Sequence, residues 1–239
     1  MSSTSNAPAH PLAHTLPLFG LELRTPRLVL RPVWDEDING LTDAAVAGIH
    51  PADEMPFAFP WTRDARPALL AGTAKTIWRE RGWRAPHDWS VSFAVRRIDD
   101  GDTTPWWEMP VIGRQDVTAK DFNILRSVGT GSWLTSSEQG KRLGKEMRLA
   151  VLLWAFDHLG ATEGTSSAYN WNAKSMGVSL GVGYSTNGER RVIVEGRMEP
   201  ETLLRVTPDS LMRPEWTLQT QGDQAGIRAE LGILPPDGA

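Results

Sequence analysis

The segment from Lys145 to Leu159 reads as a helix that is apolar on almost every side. Leu152 and Phe156 fall on the face opposite Trp154, so the apolar residues do not form a single stripe. Because such a helix has to be buried on more than one side, we expect it to pack against a sheet. A chain of 239 residues is long enough to supply that sheet within one domain.

Strand and helix signals alternate along the rest of the sequence. The strands are predicted at Leu21 to Val33, Trp89 to Val95, Trp107 to Thr118, Arg126 to Leu134, Thr162 to Tyr169, Tyr184 to Glu195 and Thr202 to Val206. The other helices are predicted at Glu36 to Ile49, Ala68 to about Arg84 and Asn172 to Val182. This order predicts an α/β (α+β) fold, a mixed sheet with one long central helix.

Composition excludes several classes of protein. The chain has no cysteine, which excludes disulfides, cysteine-based metal sites and a thiol nucleophile, and favours a cytoplasmic location. A net charge of −4 gives no overall sign of binding to nucleic acid or to a membrane. His50, His87 and His158 lack metal-ligand spacing, so no metal site is predicted. Residues 1–17 are expected to be flexible, and residues 18–239 to form one domain.

A loop rich in glycine and basic residues, Glu138 to Gly144, leads directly into the apolar helix. Backbone N–H groups at such a turn converge with the positive end of the helix dipole, which makes a site for phosphate. Lys141, Arg142 and Lys145 add positive charge at the same place. The spacing matches neither a Walker loop nor a dinucleotide fingerprint.

The loop instead resembles the Gln/Arg-x-x-Gly-x-Gly/Ala signature of the GNAT superfamily of N-acetyltransferases. Trp133-Leu134 ahead of Gln139-Gly140 is similar to the W-[LI]-x-x-x-[YF]-Q-G segment of its Rim-type branch, the ribosomal-protein-alanine acetyltransferase-like enzymes. Residues 172–184 match the branch's N-x-A-S-x-x-V-x-x-x-x-G-[FY] helix at Asn172, Ser175, Val178, Gly183 and Tyr184. Residues 25–31 are similar to its opening strand, T-x-R-L-x-L-R.

This resemblance implies the GNAT fold, a mostly antiparallel mixed sheet splayed at its centre with flanking helices. It also implies an acyltransferase that uses acetyl-CoA or another acyl-CoA, acts on a primary amine of a small molecule or a peptide N-terminus, and is in many relatives a dimer. The residues that the resemblance assigns to the donor are Trp133, Leu134, Thr135, Gln139, Gly140, Lys141, Arg142, Leu143, Gly144, Lys145, Asn172 and Ser175.

In this family the amine attacks the thioester directly, so catalysis consists of positioning and proton transfer. The resemblance implies that a backbone N–H near Leu134 binds the thioester carbonyl. Ser175 and Ser179 are the candidate acids, although a serine in a helix is often bonded to the preceding turn. Asp116 is the candidate base, with Asp121 and Glu138 as further carboxylates.

The acceptor pocket is predicted around the proline-punctuated stretch His50 to Pro67. Its aromatic and apolar residues suit a bulky, partly apolar amine better than a polycation, or the stretch simply covers the core. The residues assigned to the acceptor are Met55, Phe57, Trp61, Trp107, Asp116 and Trp171.

The loop departs from the family pattern at three positions. Arg142 replaces the middle glycine, Glu138 replaces the aromatic residue before Gln139, and Lys145 replaces a serine or threonine. If residue 142 needs a positive φ, arginine costs about 1 kcal/mol relative to glycine, which attraction between the cation and phosphate could offset. A non-catalytic module that binds acyl-CoA or a protein therefore stays an alternative, and a binder of nucleotide phosphates is a third hypothesis.

Overall fold

A computed structural model describes residues 8–82, 85, 87–99, 101 and 103–233. Its strands are β1 (Glu22–Arg24), β2 (Leu28–Pro32), β3 (Trp89–Arg97), β4 (Val111–Ala119), β5 (Ser127–Leu134), β6 (Glu163–Tyr169), β7 (Ser185–Val194), β8 (Arg197–Val206) and β9 (Gln219–Gln221). Its helices are α1 (Asp37–Val46), α2 (Arg66–Gly82), α3 (Phe122–Leu125), α4 (Leu143–Leu153), α5 (Ala173–Leu180) and α6 (Gln224–Glu230). A π-helical turn, Trp154–Leu159, continues α4.

The strands form one nine-stranded sheet in the order β7-β8-β6-β5-β4-β3-β2-β1-β9. Neighbouring strands are antiparallel, except that β5 and β6 are parallel. A parallel pair needs a crossover connection, and α4 lies in the connection between these two strands. The mixed, mostly antiparallel sheet confirms the predicted fold class.

The predicted central helix is α4, and it is buried as expected. Trp154 is fully buried and meets Phe93 of β3 edge to face, with the ring centroids 5.7 Å apart. Gly160 ends the helical segment with a φ of +80°. A helix apolar on several sides is stable here because the sheet covers one side and other buried segments cover the rest.

The two faces of the sheet carry different helices. Leu134 packs in the main core with α4, whereas its neighbour Trp133 packs with residues of α1 and α2. Successive side chains of a strand point to opposite faces. The sheet therefore lies between α4 on one face and the α1–α2 pair on the other.

Several boundaries differ from the predicted ones. The predicted strand Leu21 to Val33 is two strands, because Thr25, Pro26 and Arg27 turn the chain and the Thr25 N–H bonds the Leu28 carbonyl. Trp107 lies in a turn before β4, where Pro110 has no N–H to give to a strand ladder. Residues 83 and 84, the predicted end of the second helix, lie outside the described residues.

The chain after β8 forms elements that the sequence does not predict. β9 pairs with β1 at one edge of the sheet, and α6 buries Ile227 against the main core. Residues 8–17, predicted to be flexible, form turns in which the His10 ring stacks on Phe19 with centroids 4.0 Å apart. No helix in the described ranges has the length and apolar character that a bilayer span requires.

Candidate active site

A gap opens between β5 and β6 at the centre of the sheet. The two strands pair only at Ser127–Gly129 with Glu163–Thr165, although β5 continues to Leu134 and β6 to Tyr169. The strands therefore diverge after a short ladder, which confirms the splayed centre that the family resemblance implies. Main-chain groups of both strands are left without strand partners along the open part.

Two backbone N–H groups of β5 point into this gap. Thr135 donates its N–H to the carbonyl of Ile112 over 2.9 Å, so these residues form a hydrogen-bonded pair. Hydrogen-bonded and non-hydrogen-bonded pairs alternate along an antiparallel ladder. The pairs Leu134–Gly113 and Ser132–Gln115 are then of the non-hydrogen-bonded kind. The N–H groups of Leu134 and Ser132 therefore face away from β4 and are available to a bound carbonyl.

Side-chain hydrogen bonds close the inner end of the gap. The Tyr184 and Thr130 hydroxyls lie 2.8 Å apart, and the Ser166 hydroxyl donates to the Thr130 carbonyl over 3.1 Å. Beyond them, Arg148 of α4 donates to the hydroxyls of Ser132 over 2.9 Å and Ser166 over 3.3 Å. The gap is therefore open towards the loop before α4 and closed by polar side chains at its other end.

The loop at the outer end of the gap has the backbone conformation of an anion site. Gly140 has a φ of +76° and Arg142, the residue that caps α4, a φ of +65°. None of the described side chains caps this helix, so the N–H groups of its first turn have no acceptors within the helix. Together with the helix dipole they favour an anion at this point.

Gln139 holds this loop in place. Its side-chain amide donates to the Leu134 carbonyl over 2.9 Å and to the Ile49 carbonyl over 2.6 Å, and its oxygen accepts from Lys174 over 3.2 Å. The hydroxyl of Thr135 also donates to the Gly48 carbonyl, over 3.3 Å. Gln139 and Thr135 thus tie the end of β5 to the end of α1.

The basic side chains of the loop differ in their surroundings. Lys141 pairs with Glu138 at 3.0 Å. The Lys145 ammonium lies beside Gly181, at the end of α5. Arg142 is exposed, and within the described ranges it makes no ion pair. Leu143 is buried and Gly144 packs near Val178, so these two residues can offer only backbone groups to a ligand.

The candidate acids lie on α5, whose first turn is capped by Asn172. Its side-chain oxygen accepts from the Ser175 N–H over 3.1 Å. Ser175 is half-buried, whereas Ser179 is fully buried and its hydroxyl has no hydrogen-bond partner among the described residues. A hydroxyl shielded from solvent is less suited to deliver a proton than one at the rim, so the geometry favours Ser175 of the two.

The candidate base, Asp116, lies on the face of the sheet that carries α1 and α2. It sits opposite Gly131 of β5, and Arg114 binds its carboxylate at 2.6 Å. Arg114 also pairs with Glu80 of α2 at 2.6 Å. Burial acts to lower the pKa of Arg114, but the two carboxylates outweigh it, and the pKa lies above its usual value. Asp121, by contrast, follows the carboxyl end of β4 and immediately precedes α3.

Aromatic residues assigned to the acceptor pack on the same face of the sheet as Asp116. Phe57 and Trp61 have ring centroids 5.0 Å apart, and Trp61 and Trp133 5.9 Å. Met55 packs in a neighbouring cluster with Tyr169, whose ring stacks on Trp171 at 5.7 Å. These residues therefore pack on the side of the sheet opposite α4.

Trp107 does not join the pocket. It meets Trp106, 5.8 Å away, which lies over Arg31 and Arg96 near the first turn of α1. The other pocket residues lie near the opposite end of that helix. The sequence identifies Trp107 as an aromatic residue. Its neighbours depend on the conformation of the connection between β3 and β4, which sequence patterns do not predict.

An open cavity of about 510 Å³ adjoins the aromatic residues. Four carboxylates line it against two arginines, the complete lining being Asp53, Glu54, Met55, Arg63, Trp171, Val194, Glu195, Arg197 and Glu199. The predicted acceptor, a bulky, partly apolar amine rather than a polycation, stays a prediction, and the carboxylates here would attract its ammonium group. They come from the α1–α2 connection and from the β7–β8 hairpin, segments far apart in sequence.

Polar residues that the sequence patterns do not indicate complete the site. On the acceptor face, Glu201 accepts from the Ser167 hydroxyl at 2.6 Å and pairs with Arg190 at 2.6 Å. Burial and then the charge of Glu201 raise the pKa of Tyr169 above its ordinary value. On the other face lies Arg148 of α4, whose buried position no sequence pattern indicates.

Comparison with known proteins agrees with this geometry. The model of the acetyltransferase (GNAT) domain family matches residues 27–185. The fold resembles that of Mycobacterium smegmatis RimJ, solved in complex with CoA-disulfide, at 19% identity and a TM-score of 0.59 over 89% of this chain and 93% of that one. It also resembles the ribosomal-protein-S5-alanine acetyltransferase of Vibrio fischeri, at 14% identity and a TM-score of 0.57 over 81% and 99%.

A third similar structure is a spermidine N-acetyltransferase chimera from Vibrio cholerae SpeG and hSSAT, at 15% identity and a TM-score of 0.55 over 75% of this chain and 95% of the chimera. At these identities the solved structures show the shared fold, and the family match covers most of the chain. The chain therefore belongs to the GNAT family of acetyltransferases and is an N-acetyltransferase that uses acetyl-CoA.

Proposed function

We propose that the acyl donor lies along the β5–β6 gap with its diphosphate on the loop before α4, and that the acceptor amine enters from the α1–α2 face. This assignment rests on one observation, that the β5–β6 gap and the loop before α4 are continuous. The N–H groups of Ser132 and Leu134 face the gap, and the left-handed loop at Gly140 and Arg142 lies at its outer end. An acyl-CoA combines the two groups that such a site binds, a diphosphate and a carbonyl.

This chain's own groups supply the steps of acyl transfer. The N–H of Ser132 or Leu134 donates to the thioester oxygen, and that bond strengthens as the oxygen gains charge. Asp116 accepts a proton from the acceptor's ammonium, which frees the neutral amine to attack, and the pairing of Asp116 with Arg114 fixes its position. Ser175 returns a proton to the departing sulfur. These roles follow from placement and from the family resemblance, and substitution by Asn at residue 116 and by Ala at residue 175 tests them.

The cavity beside the aromatic cluster supports a cationic, partly apolar acceptor. Its carboxylates attract the ammonium of an amine, while Met55 and Trp171 offer apolar surface to the group that carries it. A primary amine on a small molecule and the N-terminus of a peptide both have this chemistry. A cytoplasmic location and a homodimer remain predictions from the sequence and the resemblance.

The donor assignment is tested by comparing two glycines with similar strain. Gly140 and Gly101 have φ values of +76° and +82°, and a Cβ at either would meet nothing within 4 Å. Alanine at either position therefore strains the backbone by a similar amount, about 1 kcal/mol. Calorimetry with CoA is expected to show affinity lowered at least tenfold in Gly140→Ala and unchanged in Gly101→Ala. Equal affinities in the two variants would contradict a donor site at this loop.

The catalytic assignment is tested by thiol release from acetyl-CoA with a panel of primary amines, arylalkyl amines and peptides. We expect release with at least one amine that has a positive charge and an apolar group. Saturable binding of CoA without release on any amine would favour the non-catalytic module. Competition between ATP and CoA for the loop would favour the nucleotide-phosphate binder.

A further inference from the structure

Arg148 is a buried arginine that reaches from α4 into the gap between β5 and β6. Only 4% of its surface is exposed. Its two terminal nitrogens donate to Ser132 on one strand and Ser166 on the other, and its guanidinium carbon lies 5.9 Å from the centre of the Tyr184 ring. The side chain therefore spans the strands at the point where their backbones no longer pair.

The charge of this arginine has no counterion in the described part of the chain. Among the residues that the structure describes, no carboxylate lies within ion-pair distance of Arg148, and its Nε has no acceptor. Two arginines with similar burial, Arg31 and Arg96, both pair with the buried Asp37, at 3.1 Å and 2.5 Å. Hydroxyl partners and a distant aromatic ring compensate a guanidinium less than a carboxylate does. Arg148 is therefore a costly residue for folding.

An interaction in the gap can offset the free energy that burial of this charge costs. The hydroxyl that Arg148 binds belongs to Ser132, whose N–H points into the gap. In acyl transfer, negative charge appears on the thioester oxygen and then on the leaving sulfur. A fixed positive group in a site shielded from water stabilises such charge strongly, because it needs no reorientation during the reaction.

We propose that the guanidinium of Arg148 stabilises the negative charge that develops when the donor thioester is cleaved in the gap. The amine nitrogen forms a bond to the carbonyl carbon, the carbon–sulfur bond breaks, and sulfur leaves with the electron pair. The proton lost by the amine balances the thiol formed. Arg148 transfers no proton and acts through its charge alone. This inference rests on the proposed donor site.

A purely structural role predicts the opposite effect on stability. If Arg148 serves to bridge β5 and β6, replacing it with an apolar side chain of similar length should destabilise the protein. If its charge serves the reaction, the same replacement removes an unpaired buried charge and should leave the melting temperature equal or higher. The replacement then lowers the catalytic rate without lowering the melting temperature. A role limited to bridging the two strands would not produce this result.

The experiment compares Arg148→Met, Arg148→Lys and a control, Arg96→Met, which removes an equally buried arginine from its carboxylate. Thermal unfolding is measured without ligand. Calorimetry gives the affinity for CoA, and thiol release gives kcat. The ultraviolet absorbance of the thiolate, followed against pH, gives the pKa of the thiol of bound CoA.

For Arg148→Met we expect a melting temperature no lower than that of the unaltered protein, CoA affinity within about threefold, kcat lowered about 100-fold and a raised pKa of the bound thiol. Arg148→Lys should recover much of kcat. Arg96→Met should lower the melting temperature without such a loss of kcat in the folded protein. A lower melting temperature in Arg148→Met, an unchanged kcat, or an unchanged thiol pKa would each overturn the proposal. Failure of the unaltered protein to bind CoA would instead overturn the proposed function.

Discussion

Arg142 combines a strained backbone with an exposed charge at the same residue. Its φ of +65° lies in the left-handed region, which side chains other than glycine rarely adopt. The family resemblance places a glycine at this position, and the structure gives Arg142 the positive φ that glycine adopts readily. The strain of a positive φ at a residue other than glycine is therefore present, and we expect attraction between the guanidinium and a bound phosphate to compensate it.

Arg142→Gly should stabilise the protein by about 1 kcal/mol and weaken CoA binding. Glycine relieves the strain but removes a cation from the phosphate site. Urea unfolding and calorimetry with CoA measure the two effects. His87→Gly is the matched control, because His87 has the same φ of +65° and an exposed side chain beside α3. It should gain stability without losing affinity, and an Arg142→Gly protein that binds CoA as tightly as before would show that the guanidinium contributes nothing.

At the scale of elements, the packing of α4 on β6 determines where the sheet can open. Gly164 lies in the short ladder between β5 and β6, and a Cβ there would come within 2.8 Å of Val206 and 2.9 Å of Leu152. The helix approaches the sheet closely at this point, just before the strands diverge. A side chain larger than that of glycine would therefore not fit at residue 164 without a shift of its neighbours.

Gly164→Ala should destabilise the protein by about 1–3 kcal/mol, because the added methyl group overpacks this contact. Gly177→Ala is the control, since residue 177 lies in α5 and a Cβ there meets nothing within 4 Å. It should stabilise the protein by up to about 1 kcal/mol. Chemical unfolding of both variants gives the comparison, and a neutral Gly164→Ala would mean that the helix can move away from the sheet without cost.

The elements also show what the sequence can predict. The apolar α4, its glycine ending and the alternation of β3 follow from local periodicity, so their predicted positions agree with the structure. β9 is a polar three-residue strand whose pairing with β1 depends on tertiary contacts, and no local pattern indicates it. The loop was predictable because glycine and basic residues mark it. Arg148 was not, because a single charge in a helix commonly lies at the surface.

At the scale of the whole molecule, the chain after β8 folds back over the ends of α4 and α5. The Met212 N–H donates to the Val182 carbonyl, and Arg213 makes a two-bond pair with Asp157 at 2.8 and 2.9 Å. Arg228 donates to the carbonyls of His158 and Leu159. This segment therefore caps the end of α4 that is farthest from the phosphate loop.

The pair between Asp157 and Arg213 should give the protein a small acid-dependent stability. The hydrogen bond from Arg213 holds the pKa of Asp157 below its ordinary value of 3.8. A lowered pKa in the folded state stabilises the protein above pH 3.8, and this contribution is lost as the pH falls through the folded value. Both side chains are nearly half exposed, so it should not exceed about 1 kcal/mol. Unfolding of Arg213→Ala should differ from that of the unaltered protein at pH 7 and converge with it in stronger acid, and a difference that persists below the folded pKa would contradict this origin.

The single parallel pairing, β5 with β6, has a consequence for how the molecule assembles. Its two strands are separated by the whole of α4, whereas β7 and β8 adjoin through a tight hairpin. Contacts between distant segments pay the entropy of closing a long loop before they gain any stability. We therefore expect the hairpins to form early during folding and the β5–β6 pairing to form late. The protein should then bind the coenzyme only after nearly all of the chain has folded.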